Sequence, residues 1–316
     1  MSETIVKAKN RRYPWLAVML SLIMPGLGQI YCGKIVRGLL LTFLASLPLS
    51  LITLLLSMQK TPFMLAIVLV GLFTSMLVQL IAIIDSGYIA KHTRPDYELK
   101  DYNRWYVYVL LVFMGVGGAM ETATHIKTNY IEAFRVPMAS CYPTIVPNDR
   151  ILANKSAYKT KDPRRGDTIV FICPENRQWN WIKRVIAVAG DTIEIKDGEL
   201  YVNDEKLLRQ KLAQSVLDSI RVKVKGKPLE GDIFEETNGD AKYKILLATS
   251  IPEKAKTSPD FPKTTVPKYH CFVLGDNRNN SRDSRHVGPI PLATIKGRAD
   301  YLYCPAKDWS RFGKLD

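Results

Sequence analysis

Residues 192–202 read TIEIKDGELYV, two runs of alternating apolar and polar side chains on either side of Asp197-Gly198. Alternation with period two puts Ile193 and Ile195 on one face of the first run and Leu200 and Val202 on one face of the second. An Asp-Gly pair supplies the positive φ values that a type I′ turn demands, so the stretch predicts a β-hairpin. Working outward, EETNGDAKYKILL (235–247) repeats the pattern around Asn238-Gly239, WIKRVIAVAGD (181–191) is an apolar run of strand formers, and VPKYHCFVLGDNR (266–278) leaves a loop as a further strand. Residues 123–316 therefore read as a mainly β domain, with an insert at about 205–268 between its outer segments. Within the insert, Leu208, Leu212, Val216 and Ile220 fall at helical spacing and predict a helix over 207–220. Pro252, Pro259, Pro262 and Pro267 predict a surface loop over 249–268.

The first 122 residues have a different character. The runs 39–58 and 63–84 carry no charge over about the 20 residues that a bilayer core requires, and 105–120 opens on the Trp/Tyr cluster suited to a membrane interface. A fourth run, 13–31, is broken by Pro25, Gly26 and Gly28, so it is expected to be re-entrant or interfacial, while the other three span. With 44 Lys plus Arg against 30 Asp plus Glu, the 316-residue chain has a net charge of +14. Such an excess suits nucleic acid or an anionic membrane. The apolar runs and the lack of any zinc-finger, helix-turn-helix or RNP pattern select membrane lipid and exclude nucleic acid. Lys7, Lys9, Arg11 and Arg12, then Lys34 and Arg37, then Lys91, Arg94, Lys100 and Arg104 mark cytoplasmic segments. Three crossings then carry the β domain to the other side. A cleavable leader over 1–31 is disfavoured, because the chain returns at once to apolar sequence at Leu39.

The chemistry centres on FRVPMASCYPTIVP (134–147), where Pro137, Pro143 and Pro147 predict a stiff, largely extended setting for the hydroxyl of Ser140. Lys183 lies inside the apolar run 181–191, where lost hydration favours a neutral amine able to deprotonate Ser140. The loop GDNRNNSRDSRHVG (275–288) is long enough to buttress a site assembled from distant segments, and Asp283 and Arg285, two apart, are placed for a local ion pair. Arg184 reads as surface charge. Cys141 is the competing nucleophile, but no histidine is supplied with it, and it reads as a small buried side chain. Among the four histidines, His286 is the one rival to Lys183 as base. The five cysteines have neither CxxC nor Cys/His metal spacing, so no metal and no cofactor is expected.

In order and spacing these segments, with RRGDTIVF (164–171), resemble the type I signal peptidases, membrane-anchored serine proteases that use a Ser-Lys dyad. Ser140, Cys141, Tyr142, Pro143 and Thr144 fill the nucleophile box, with cysteine in place of methionine. The resemblance implies Ser140 as nucleophile, Lys183 as general base, Ser281 as the lysine's hydrogen-bond partner, Asp283 with Arg285 as a brace, and Asp276 as a shaper of the loop. It implies exported preproteins as substrates, cut after small residues, at a bacterial inner membrane with the protease domain outside the cytoplasm. Met138 departs from the pattern, since many members place a hydroxyl there to help bind the oxyanion and a thioether donates no hydrogen bond. Two other readings stand beside this one: a Ser-Lys peptidase with a dedicated client, and a membrane scaffold of weak activity.

Overall fold

The computed structural model describes residues 12–57, 64–92, 100–213, 215, 223–224, 227–228, 230–249, 260–306 and 308–315. Two compact units divide the chain, Met1–Tyr130 and Ile131–Asp316.

The first unit is helical. α1 (Pro14–Ile23) starts with proline at its first position, where a missing N–H costs nothing, and α2 (Leu27–Tyr31) follows after a turn at Gly26. α3 (Ile35–Ser57), α4 (Met64–His92) and α5 (Trp105–Asn129) are each long and apolar enough to cross a membrane. They carry no polar stripe. Leu40, Phe43, Phe73, Leu80, Phe113 and Met114 face outward, and the apolar windows of α3, α4 and α5 are only 11%, 11% and 0% buried by protein. α1, at 10 residues, extends about 15 Å, half of a bilayer core. It lies against α4. Gln29 of α2 is fully buried and donates to Ala82 O (2.8 Å) and to Asp85 Oδ2 (3.0 Å), while Arg37 pairs with the same carboxylate. The helices outrun the predicted spans: α4 continues to His92 and α5 to Asn129, beyond the boundary read at 122. Polar residues such as Glu121, Thr122 and Thr124 ended the apolar window but are compatible with helix.

The second unit is built of strands β1 (Ile131–Arg135), β2 (Arg150–Asn154), β3 (Thr168–Ile172), β4 (Asn180–Val188), β5 (Thr192–Lys196), β6 (Glu199–Val202), β7 (Glu205–Lys206), β8 (Leu208–Lys211), β9 (Lys223–Val224), β10 (Lys227–Pro228), β11 (Gly231–Asn238), β12 (Ala241–Ala248), β13 (Phe261–Thr265), β14 (His270–Leu274), β15 (Ile290–Pro291), β16 (Ile295–Cys304) and β17 (Gly313–Lys314). The main sheet runs β1-β2-β16-β3-β4-β14-β15, with β17 on β16, and β1 is its edge. Smaller sheets β13-β5-β6-β7 and β12-β11-β8 stand beside it. One apolar core joins Ile186 and Phe272 of the main sheet to Ile193, Leu200 and Ile245 of the smaller ones.

The β5–β6 hairpin turns at Asp197-Gly198, with φ of 53° and 75° and Lys196 opposite Glu199. The second hairpin turns one residue later than predicted, at Gly239-Asp240 between paired Asn238 and Ala241. Asn238 is drawn inward instead, buried and donating to Ile186 O at 2.9 Å. Two insert predictions are corrected. Leu208–Lys211, read as helix, is a strand against β11, because that edge offers backbone partners that outweigh a weak helical spacing; residues 214 and 216–222 lie outside the described residues. Phe261–Thr265, read as loop, pairs with β5 and accommodates Pro262 on an edge with a register shift; residues 250–259 lie outside the described residues.

Candidate active site

Ser140 lies between β1 and β2, in a segment that turns instead of running extended. The Tyr142 N–H donates to Ala139 O (3.1 Å) and the Ile145 N–H to Cys141 O (2.9 Å). Burying Cys141, Tyr142, Ile145 and Val146 together requires this bend, and proline fixes φ without dictating ψ. Cys141 and Ile145 enter one core with Ile182 of β4 and Val170 of β3, which sets the turn against the strand bearing Lys183. The turn is also held from far along the chain. Asn277 donates its N–H to Ser140 O (3.1 Å) and its side-chain amide to Ala139 O (3.2 Å), and the Thr144 hydroxyl donates to Asp276 Oδ2 (2.6 Å).

Lys183 occupies the middle of β4, paired with Ile169, and is 4% exposed. Its Nζ donates to Ser140 Oγ at 2.9 Å and to Ile182 O at 3.1 Å, and stands 5.5 Å from the centroid of the Trp181 ring. An amine with no carboxylate partner among the described residues thus touches a half-buried hydroxyl. The Ser140 N–H makes no hydrogen bond among the described residues, which leaves it available to an incoming oxyanion. Met138 is exposed. Cys141, next to the serine, donates its thiol to Ile182 O at 2.9 Å, and burial pushes that thiol up to about 11 against the pull of the Lys183 charge, so it stays protonated and facing away from solvent.

The loop after β14 supplies the remaining predicted residues. Asp283, fully buried, caps the short helix α6 (Ser284–Val287) and accepts two hydrogen bonds from the Arg285 guanidinium, both at 2.8 Å, and one from the Gly275 N–H at 3.0 Å. Burial alone would raise its carboxyl, but Arg285, the Gly275 N–H and the Lys183 charge bring it below the usual range. Ser281 is buried nearby: a Cβ placed on Gly275 would fall 2.2 Å from Ser281 Oγ and 2.4 Å from Ser140 O. Lys183 directs its two hydrogen bonds to Ser140 and Ile182, and none to Ser281. His286 is exposed on α6 and makes no hydrogen bond to Ser140.

Arg184, read as surface charge, is 1% exposed. It gives Asp276 two hydrogen bonds of 2.8 Å, donates to Gly166 O at 2.7 Å and stacks 4.4 Å over Tyr243. The reason for the correction lies in the strand: Ile182, Arg184 and Ile186 share one inward face, so the guanidinium had to find an internal counter-ion. A second network, unforeseen in sequence, adjoins it. Glu236 of β11 accepts from Arg278 (2.8 and 2.6 Å), from Arg209 (2.8 Å) and from the Tyr243 hydroxyl (2.9 Å). Burial opposes its charge, yet the two arginines hold the carboxyl down at about 2. The available signal was a charge or amide at an inward position of an otherwise apolar strand, as at Arg184, Glu236 and Asn238.

The family described as signal peptidase, peptidase S26, matches residues 105–304. Signal peptidase I of Buchnera aphidicola is 29% identical over 266 residues, 72% of this chain and 79% of its own. Signal peptidase I of Aquifex aeolicus is 32% identical over 206 residues, 58% of this chain and 79% of its own. That of Pseudomonas aeruginosa is 32% identical over 200 residues, 55% of this chain and 65% of its own, just under two thirds. A solved signal peptidase I of Enterococcus faecalis is 29% identical, with TM-score 0.25 over 44% of this chain and 97% of that one.

Proposed function

The chain belongs to the signal peptidase family, peptidase S26, whose members are serine endopeptidases, and from that premise we propose that Ser140 and Lys183 form the dyad with which it removes signal peptides from exported preproteins. One observation carries the reading: an amine 4% exposed stands 2.9 Å from the only hydroxyl it touches among the described residues. Unprotonated Lys183 takes the Ser140 proton as Oγ attacks the scissile carbonyl carbon. The resulting oxyanion meets the Ser140 N–H. With Met138 unable to donate, a further donor must come from another group, and loss of one such donor costs about 2.7 to 4 kcal/mol of transition-state stabilisation. Collapse breaks the C–N bond while the Lys183 ammonium protonates the leaving amine. Lys183 then deprotonates a water that attacks the acyl-enzyme ester and releases Ser140.

Substrate reaches this serine as a strand in our reading. β1 is an edge strand of the main sheet that ends five residues before Ser140, and an extended peptide adds to such an edge through backbone hydrogen bonds while shallow pockets admit small side chains only. Asp276, Asp283 and Arg285 hold the turn and loop, and Ser281 packs where Gly275 leaves room. The membrane arrangement belongs to the same proposal: α3, α4 and α5 span, α1 and α2 remain on the cytoplasmic side of a bacterial inner membrane, and residues 131–316 act outside it. The decisive experiment is cleavage of a purified preprotein by the full-length protein in detergent, compared with Ser140→Ala. Loss of cleavage with Ser140→Ala, and a product whose new N-terminus follows a small residue, support the reading; equal cleavage by both proteins overturns it.

A further inference from the structure

Against the loop that carries Ser281 and Asp283 lies a cavity of about 130 Å³ whose charged lining side chains, among the described residues, are all arginine. Arg209 of β8 and Arg278 and Arg285 of the loop line it, with Leu200, Leu247 and Leu274, and no acidic side chain lies among the described residues that line it. Carboxylates hold each guanidinium from outside the wall. Glu236 takes Nη1 and Nη2 of Arg278 and Nε of Arg209, and Asp283 takes Nε and Nη2 of Arg285. Three cations therefore share two buried anions. Glu199 does not close the balance: it is 3.6 Å from Arg209, 38% exposed, and shared with Lys206 at 3.4 Å. Arg184 and Asp276 neutralise each other. Nε of Arg278, on a residue 4% exposed, is sealed from solvent with no hydrogen-bond partner among the described residues, and Nη1 of Arg285 and Nη2 of Arg209 likewise have none.

We propose that this cavity is a binding site for a small free oxyanion of the phosphate class, seated on the unused donors of Arg209 and Arg285 beside the charge of Arg278. A guanidinium fork matches the oxygen spacing of such an ion and forms charge-assisted hydrogen bonds with it. The volume is several times one water's share of about 30 Å³, which admits the ion. Its negative charge offsets the surplus cation, and its oxygens tie β8 of the insert to the loop after β14. The site's existence is independent of the peptidase chemistry.

Titration of the full-length protein in detergent with inorganic phosphate, at an ionic strength fixed with sodium chloride, tests this by calorimetry. The expected result is saturable binding of a single ion and a thermal midpoint that rises with phosphate but not with chloride. Arg209→Gln removes one guanidinium and weakens affinity about tenfold. Leu247→Phe fills the cavity from β12 without changing charge and removes binding, its midpoint in the absence of phosphate reporting that it folds. No saturable binding by the unaltered protein, or unchanged affinity in both variants, overturns the proposal. Binding to phosphatidylglycerol vesicles without binding of inorganic phosphate overturns the assignment to a free ion.

Discussion

Lys183 and Arg184 are neighbours on β4, both almost fully buried, yet the two faces of the strand treat their charges in opposite ways. Arg184 is enclosed by a bidentate carboxylate, a carbonyl and an aromatic ring. Lys183 has a hydroxyl and a carbonyl, and no ion pair among the described residues. Burial without a counter-ion penalises charge, whereas a fully bonded buried pair is fixed and costly to break. In the proposed reaction one face of the strand moves a proton and the other holds shape, and side chains one residue apart should report on different quantities.

The sharpest test of that contrast is Lys183→Met. Cleavage should fall on the order of 10⁵ to 10⁶-fold, as when one member of a catalytic unit is lost, with urea-unfolding stability lowered by no more than about 1 kcal/mol, since an uncompensated buried amine is also removed. Normal processing by this variant would end the lysine's role. On the other face, Asp276→Ala leaves Arg184 buried without its anion, and equilibrium unfolding should show a loss of about 3 to 5 kcal/mol. A loss under about 1 kcal/mol would break the comparison.

Acid should weaken the scaffold through Glu236. Its carboxyl is held near 2 against an ordinary 4.5, so the unfolded chain takes up a proton first as pH falls. The stabilisation is whole above about pH 4.5 and is lost as pH drops toward 2, up to about 3 kcal/mol in total. Urea midpoints of the unaltered protein and Glu236→Gln, compared at about pH 6, above that window, and at about pH 3, inside it, measure it; identical pH dependence in the two proteins would remove Glu236 as the cause. The smallest effect is expected at Cys141. With its thiol pushed up to about 11 and buried, Cys141→Ala should retain cleavage within a few-fold and cost about 1 kcal/mol, and thiol reagents should leave the native protein active. Rapid inactivation by such a reagent that the alanine variant escapes would show the cysteine to be reachable.

The hairpin at Asp197-Gly198 was legible because turn chemistry and alternation are local, and the three long apolar runs because an uncharged stretch of that length needs no tertiary context. Ser140 and Lys183 were legible as a pair only through matching segments, since serine and lysine carry no local sign of their role. What sequence could not show was partner choice across distance. Arg184 reads as any strand arginine until Asp276, 92 residues later, is seen to accept from it. Glu236 and Arg278 meet across 42 residues in the same way. Leu208–Lys211 shows the converse error, a helical spacing overruled by an open strand edge.

The carbonyls of Ala139 and Ser140 are clamped by Asn277, a residue 138 positions beyond the first of them. During synthesis the hydroxyl therefore leaves the ribosome long before the clamp that orients it. A chain made only as far as Lys183 presents a serine on a bend that Asn277 does not yet hold. In the proposed reaction, orientation of the nucleophile therefore waits on a residue made well after it.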